Sequence, residues 1–337
     1  MNKETITTKI ESFFENLEEK ENNFKTLFQA LIIYNDENEF NEIISLKIKS
    51  EEILDNKVFI CRSGHLSLEL YLPFIYDVNP KLIDKLLENK KIKNKIAEII
   101  HDQNGIYDTN ESSYNETVKE FCRMYASAMK KCTHLKISTW NFNNNLAQKW
   151  WSLNFDKVYK FEVEWKNYAK NTFKEYKNVR SKGFKEGWTY PTWLDFYRNK
   201  KLLFITSFPK TMKMQLENGN IFKMFEIDKF FIDIQFCKSP ISFCSNTPDS
   251  NYLESLQILK DKVKKLDFDI AFVGCGGYSV IIGEYIYTEM NKSAILTGGD
   301  IQLMFGIKGG RWGEESGIYN EYWCNVLPEE IPENNTR

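Results

Sequence analysis

The sequence predicts an α/β fold: a mainly parallel sheet flanked by helices, with a helical extension at the N-terminus and a helical insertion. Three observations carry this expectation. Compact apolar runs recur along the chain, VFICR at 58–62, LLFITSF at 202–208, FFIDIQF at 230–236 and DIAFVG at 269–274. Apolar residues at helical spacing follow most of these runs after a short turn. Two turns, at 274–277 and 298–299, are built on glycine. Strands that alternate with helices pair in parallel, because each is reached through a crossover. The resulting Rossmann-like sheet collects ligands at the carboxyl ends of its strands.

Residues 1–56 make the extension. Ile10, Phe13, Phe14 and Leu17, then Phe24, Leu27 and Leu31, recur at helical spacing among acidic residues and lysines. Residues 57–140 make a first α/β half. Its strand ends at the tight turn Ser63-Gly64, and LSLELYLPF then resumes helical spacing. Helices are expected over 80–100 and 114–130, with Asn104-Gly105 marking a turn between them. Residues 141–200 are aromatic, rich in lysine and poor in strand signals, which predicts the helical insertion. A second half over 201–325 opens on a buried strand at Lys201, after which Pro209 suits the first turn of a helix. FFIDIQF is a further strand, and a long helix is expected over 251–266. There follow a strand at 270–273, the first glycine turn, a helix at 278–290, a strand at 293–297 and the second glycine turn, which opens a short helix at Asp300. Residues 326–337 are a tail.

Composition narrows the function classes. The chain has 337 residues, 42% hydrophobic and 27% charged, which is ordinary for a globular protein and excludes disorder of the whole chain. Forty-five basic residues against 47 acidic ones give a net charge of −2, so no global field favours a nucleic-acid partner or an anionic membrane. The aromatic residues (25 Phe, 17 Tyr, 8 Trp) are read as core. The N-terminal stretch MNKETITTKIESFF has no uninterrupted apolar segment, and the longest apolar run, from Ile270 to Ile282, is broken by glycines. A cytoplasmic protein without a transmembrane segment is therefore expected. Seven cysteines without a CxxC pair and three scattered histidines argue against a structural zinc site or a disulfide framework.

The turn Gly274-Cys275-Gly276-Gly277 lies between a strand and a helix, where backbone can approach a phosphate and helix amides can point at it. A dinucleotide fingerprint would need glycine at Ser279 and an acidic residue at the end of the next strand, so NAD and FAD are disfavoured. The segment GIKGGRW sets Lys308 and Arg311 among glycines, which suits a diphosphate clamp, although it lacks the Gly-Lys-Ser/Thr order of a P-loop. The plainer alternatives are a tight turn that only permits close packing, and a solvated basic loop. In the first half, Arg62, Gly64, His65 and Glu69 surround the turn after the strand, where a carboxylate could act as a base or bind a metal; the plainer alternative is a Glu69 that faces solvent on its helix and a His65 that is only an N-terminal helix residue. Ser207 holds the equivalent place after the strand at Lys201, with Lys213 further along the helix. Both could contact a ligand, or cap and solubilise that helix.

Together these motifs resemble a bacterial and viral surface-polysaccharide family whose C-terminal signature reads roughly fDiaiiGaGaYGfplaa, then gkkaihlGGatQllFGIkGkRW. The matching residues are Gly274, Gly276, Tyr278, Gly298, Gly299, Gln302, Phe305, Gly306, Lys308, Gly309, Arg311 and Trp312. Upstream, WLDFYRNKKLLFITSFPKTMKMQ resembles PW..aLkGKkVLVIhPF..Ti..Q, NGIYDTNESSYNETVKEFCRMYASAMKKC resembles the N.GffP segment that opens here at Asn104, and VFICRSGHLSLEL resembles vgRpGgtE. The likeness covers about residues 57–325. Such proteins are similar to GT-D-type glycosyltransferases, with a Rossmann-like fold that binds a nucleotide sugar and an Asp-x-Glu motif after an early strand. The chain departs from that pattern in three places. The usual glutamate is Ser67, with Glu69 the nearest carboxylate; no Asp-x-Glu occurs between 57 and 75; and the usual histidine of the hPF segment is Ser207.

The resemblance implies glycosyl transfer from a nucleotide-sugar donor to a glycan or lipid-linked glycan acceptor. It leaves open a divalent cation, Mn2+ or Mg2+, whose ligands are unknown. Glu69 is the candidate base. Candidate binding residues are Arg62, Gly64, His65, Asn104, Ser207, Lys213, Gly274, Gly276, Gly277, Tyr278, Gly298, Gly299, Gln302, Lys308 and Arg311. The alternative is a nucleotide- or glycan-binding protein that supports a polysaccharide-synthesis complex without catalysis.

Overall fold

A computed structural model describes residues 4, 7, 8, 56–62, 68–136, 147, 150, 151, 197–224, 228–309 and 319–332. The helical extension expected over 1–56, most of the insertion expected over 141–200, and the turn at 63–67 lie outside these residues.

Strand β1 (Phe59–Arg62) leads to helices α1 (Leu68–Val78), α2 (Pro80–Glu88), α3 (Lys90–Asn104) and α4 (Tyr114–Lys131), then to β2 (His134–Lys136). From residue 201 on come β3 (Lys201–Thr206), α5 (Pro209–Glu217), α6 (Asn220–Lys223), β4 (Asp233–Lys238) and α7 (Tyr252–Lys264). The chain closes with β5 (Ile270–Gly274), a 3₁₀ turn (Gly276–Tyr278), α8 (Ser279–Thr288), β6 (Ser293–Leu296), α9 (Asp300–Leu303) and a second 3₁₀ turn (Pro328–Glu330).

Asparagine starts three of these helices. The Asn79 side chain accepts from the Lys81 amide at 3.1 Å, and Asn89 accepts from Lys91 and Ile92 at 3.1 and 3.2 Å. At α7 the Asn251 side chain takes the Glu254 amide at 2.9 Å while Glu254 reaches back to the Ser250 amide at 3.0 Å, a reciprocal cap that satisfies two otherwise orphaned donors.

The six strands form one sheet in the order β2-β1-β6-β5-β3-β4, and every neighbouring pair is parallel. The fold is therefore a Rossmann-like α/β fold, as the alternation of strands and helices predicts. The two α/β halves read from the sequence share this sheet, because β6 inserts between β5 and β1. Side-chain alternation separates two cores. Phe59, Cys61, Leu203, Ile205, Ala271, Val273, Ala294 and Leu296 point into a cluster shared with α1–α4, α7 and α8. Ile60, Leu202, Phe204, Ile270, Phe272 and Ile295 point into a second cluster with Met212 of α5, Phe222 of α6 and Ile301 of α9.

Two local expectations shift. FFIDIQF predicts a strand from Phe230, but β4 begins at Asp233, which is the residue paired with Lys201 at the start of β3. Phe230 instead packs on Phe222 at 5.1 Å, and Phe231 is 84% exposed. Strand β2 was not expected at all, since its three residues are too few to show alternation.

Helix α8 lies so close to the sheet that a Cβ at Gly283 would fall 2.7 Å from Phe59 Cε2 and 2.8 Å from Leu296 Cδ1. Alanine favours a helix interior over glycine by about 1 kcal/mol. Here the overlap should dominate, and Gly283→Ala is expected to cost about 1–3 kcal/mol of stability in urea unfolding. A gain in stability would show that α8 stands further from the sheet.

Candidate functional site

The carboxyl ends of the four central strands define the site. In the order β1, β6, β5, β3 the chain leaves the sheet alternately towards the two cores, into α1, α9, α8 and α5. Neighbouring exits on opposite faces leave a crevice between them, which is where parallel sheets receive ligands.

Residues singled out in four separate segments meet along this edge. Glu69 lies in the first turn of α1 after β1; Gly298 and Gly299 follow β6; 274–277 follow β5; Ser207 follows β3. The two glycine turns are in contact, since a Cβ at Gly274 would lie 2.6 Å from the Gly298 carbonyl oxygen and 2.7 Å from Ile301 Cγ2. The Thr297 amide donates to Val273 O at 2.9 Å and continues the ladder to the mouth of the crevice.

Asn104, the last residue of α3, joins Glu69 to the first glycine turn. Its side-chain amide donates to Glu69 Oε2 at 2.8 Å, and its carbonyl oxygen lies 2.7 Å from where a Gly277 Cβ would stand. The Asn104 side chain is buried, with its Oδ1 without a hydrogen-bond partner among the described residues. The amide donor faces the carboxylate and so stabilises its charged, accepting form. Asn104 is thus placed at the end of a helix and not in a loop, and Gly105 caps that helix with φ of 75°.

The turn at 276–278 is held from two further sides. Tyr252 donates its hydroxyl to Gly277 O at 3.0 Å, and its ring stacks on Tyr278 at 4.5 Å between centroids. The Tyr278 hydroxyl shares a 2.9 Å hydrogen bond with Ser242, which also donates to Gly105 O at 2.9 Å. Sequence reading missed Ser242 and Tyr252. The first sits in a serine-rich loop and the second opens an ordinary helix, so no local pattern marks either. The same loop puts Cys244 and Ser245 in the left-handed region, φ 54° and 58°, where residues other than glycine are strained.

Ser207 is buried and shares a hydrogen bond with Ser239 at 3.1 Å, bridging the ends of β3 and β4. Lys213 is on the exposed side of α5, its ammonium 3.7 Å from Glu217, and the site does not include it. Gln302 is half-buried on α9. Lys308 is half-buried with its ammonium 5.4 Å from the centre of the Tyr319 ring. Arg62 ends β1. Gly64, His65 and Arg311 lie outside the described residues. Among the described residues no group of three or more His, Cys, Asp or Glu could hold a metal ion, and no helix is long and apolar enough to cross a membrane.

A parallel α/β sheet with two glycine turns and one amide-held carboxylate at its carboxyl edge defines a Rossmann-like protein whose candidate site is that edge. No family model, curated protein or solved structure matches the chain.

Behind the crevice sits a row of buried acids. Burial pushes the Cys275 thiol up to about 12 and raises the hydroxyls of Tyr278, Tyr252 and Tyr125, with the Glu69 charge adding to the rise at the last two. Their ordinary values are 9.0 for the thiol and 10.0 for the hydroxyls. The folded chain therefore keeps protons that the unfolded chain releases, and this part of its stability is complete below pH 9 and lost as pH rises through these values. The melting temperature should hold to about pH 8 and fall steeply above about pH 9, with a shallower fall for Tyr278→Phe. A melting temperature that stays level to pH 11 would mean the row is open to water.

Proposed function

We propose that the chain is a glycosyltransferase of surface-polysaccharide synthesis, working in the cytoplasm on a nucleotide-sugar donor and a glycan or lipid-linked glycan acceptor. One observation carries the reading. Candidate residues scattered between 69 and 299 converge on adjacent strand ends, with Glu69 bonded to Asn104, Asn104 against the turn at 274–277 and that turn against Gly298.

In this reading the donor diphosphate lies over the two glycine turns, where the absence of side chains lets backbone amides approach it. Lys308 and Arg311 neutralise it. The acceptor hydroxyl oxygen forms a bond to the anomeric carbon as the bond from that carbon to the diphosphate oxygen breaks. The hydroxyl proton passes to Glu69, and the bonding electrons leave with the nucleoside diphosphate. Cations aimed at that leaving group lower the barrier because negative charge grows there in the transition state. Asn104 supports the ionised, proton-accepting form of Glu69.

The test is a thermal-shift panel of nucleotide sugars with and without Mn2+ or Mg2+, followed by turnover with the donor that binds. A ligand at about 100 times its Kd adds about 2.7 kcal/mol of stability. Glu69→Gln should then lower kcat by about 10²- to 10⁴-fold and leave donor affinity within about tenfold. Wild-type kcat in Glu69→Gln removes the base assignment, and a protein that binds donors but turns over none of them is a binding protein.

A further inference from the structure

Residues 319–330 return to the sheet edge as a strap, and the backbone of the cationic segment at 307–309 is hydrogen-bonded to that strap and to α9. Glu330 anchors its end. This carboxylate is 1% exposed, with Oε1 accepting the Lys210 amide at 2.8 Å and Oε2 accepting the Thr211 amide and hydroxyl at 2.8 and 2.6 Å. These are the first donors of α5, whose own N-cap residue, Phe208, supplies no side-chain acceptor. The Leu327 amide donates to Thr211 Oγ1 at 3.0 Å.

One turn further along α5, the fully buried Gln215 donates to the carbonyls of Phe305, Gly306 and Tyr322 at 3.0, 3.2 and 2.9 Å. From Tyr322 to Glu330 the strap therefore passes from Gln215 to Lys210, towards the helix N-terminus and the carboxyl edge of β3. Ile307 bridges Cys324 in parallel, through Cys324 N to Gly306 O at 3.0 Å and Lys308 N to Cys324 O at 2.8 Å. The segment at 307–309 thus runs the same way as the strap, towards the edge that carries the glycine turns. The strap also backs its side chains: the Lys308 ammonium lies over Tyr319, and Tyr319 donates to Gly309 O at 3.4 Å while packing on Trp323 at 5.0 Å.

We infer that the strap sets the position of the Lys308 segment at the crevice, and that Glu330 is a positioning residue that acts on ligand binding through Lys308. The inference rests on the donor-diphosphate reading of Lys308 for its functional consequence only. With the anchor removed, the α5 amides lose their acceptor and the strap loses its fixed end, so the segment it backs should exchange and wander.

Hydrogen exchange of the peptide around Lys308, together with calorimetry of inorganic pyrophosphate, tests this on the full chain in Glu330→Ala, Glu330→Gln, Lys308→Ala and the Glu330→Ala/Lys308→Ala pair. Glu330→Ala should speed exchange at Lys308 and weaken pyrophosphate binding about tenfold, and its effect should largely vanish once Lys308 is gone, as for coupled residues. Glu330→Gln keeps one acceptor oxygen and should fall between; it also serves where the alanine variant does not fold. Unchanged exchange at Lys308 in the variants that fold, or penalties that simply add, overturns the inference. Wild-type protein that ignores pyrophosphate and nucleotides overturns the donor reading instead, and the exchange result then decides the strap alone.

Discussion

Backbone packed directly on backbone at the carboxyl edge is the constraint on which the site depends. Gly298 O lies where a side chain at 274 would begin, and the Asn104 carbonyl lies where one at 277 would begin. Neither approach survives a Cβ without a shift of main chain. Because both are made, the turn after β5 touches the turn after β6 on one side and the end of α3 on the other. Asn104 is thereby brought to Glu69, and a carboxylate on the first helix is joined to glycines some 200 residues later in the chain. These contacts fix the two glycine turns, Asn104 and Glu69 relative to one another at the carboxyl edge.

The two faces of the sheet serve different ends. The larger core is covered by six helices and holds the edge rigidly from behind, with Tyr252 and Tyr278 stacked beneath the first glycine turn. The smaller core is built on phenylalanines, Phe204 stacked on Phe272 at 4.9 Å and edge-to-face with Phe305 at 4.8 Å, and is closed by the strap. Much of the aromatic excess is spent in these cores. Polar tethers such as Gln215 and Glu330 then tie the strap to α5, where each buried acceptor or donor left unmet would be costly.

Exposed charge contributes little to this architecture. Lys213 and Glu217 are both more than 60% exposed, and such pairs are weak because water screens them. The charges that matter to the proposed chemistry are few and each is held by a neighbour: Glu69 by the Asn104 amide, Lys308 by the strap and the face of Tyr319.

The strands at Phe59, Lys201, Ile270 and Ser293, the helix that Pro209 opens, the two glycine turns and the parallel pairing were all legible in the sequence. They follow from local rules: side-chain period, turn chemistry and the need for a crossover between parallel neighbours. That both glycine turns open on one edge also follows, since a right-handed crossover from β5 to β6 leaves both strand ends on the same side. The sequence did not reveal β2, the start of β4, the roles of Ser242 and Tyr252, or the outward course of Lys213. Nor did it place β6 between β5 and β1, or Glu330 on the first turn of α5. These were decided only in the tertiary structure, because strand order and long-range capping depend on which distant surfaces bury one another, and no run of neighbouring residues encodes that.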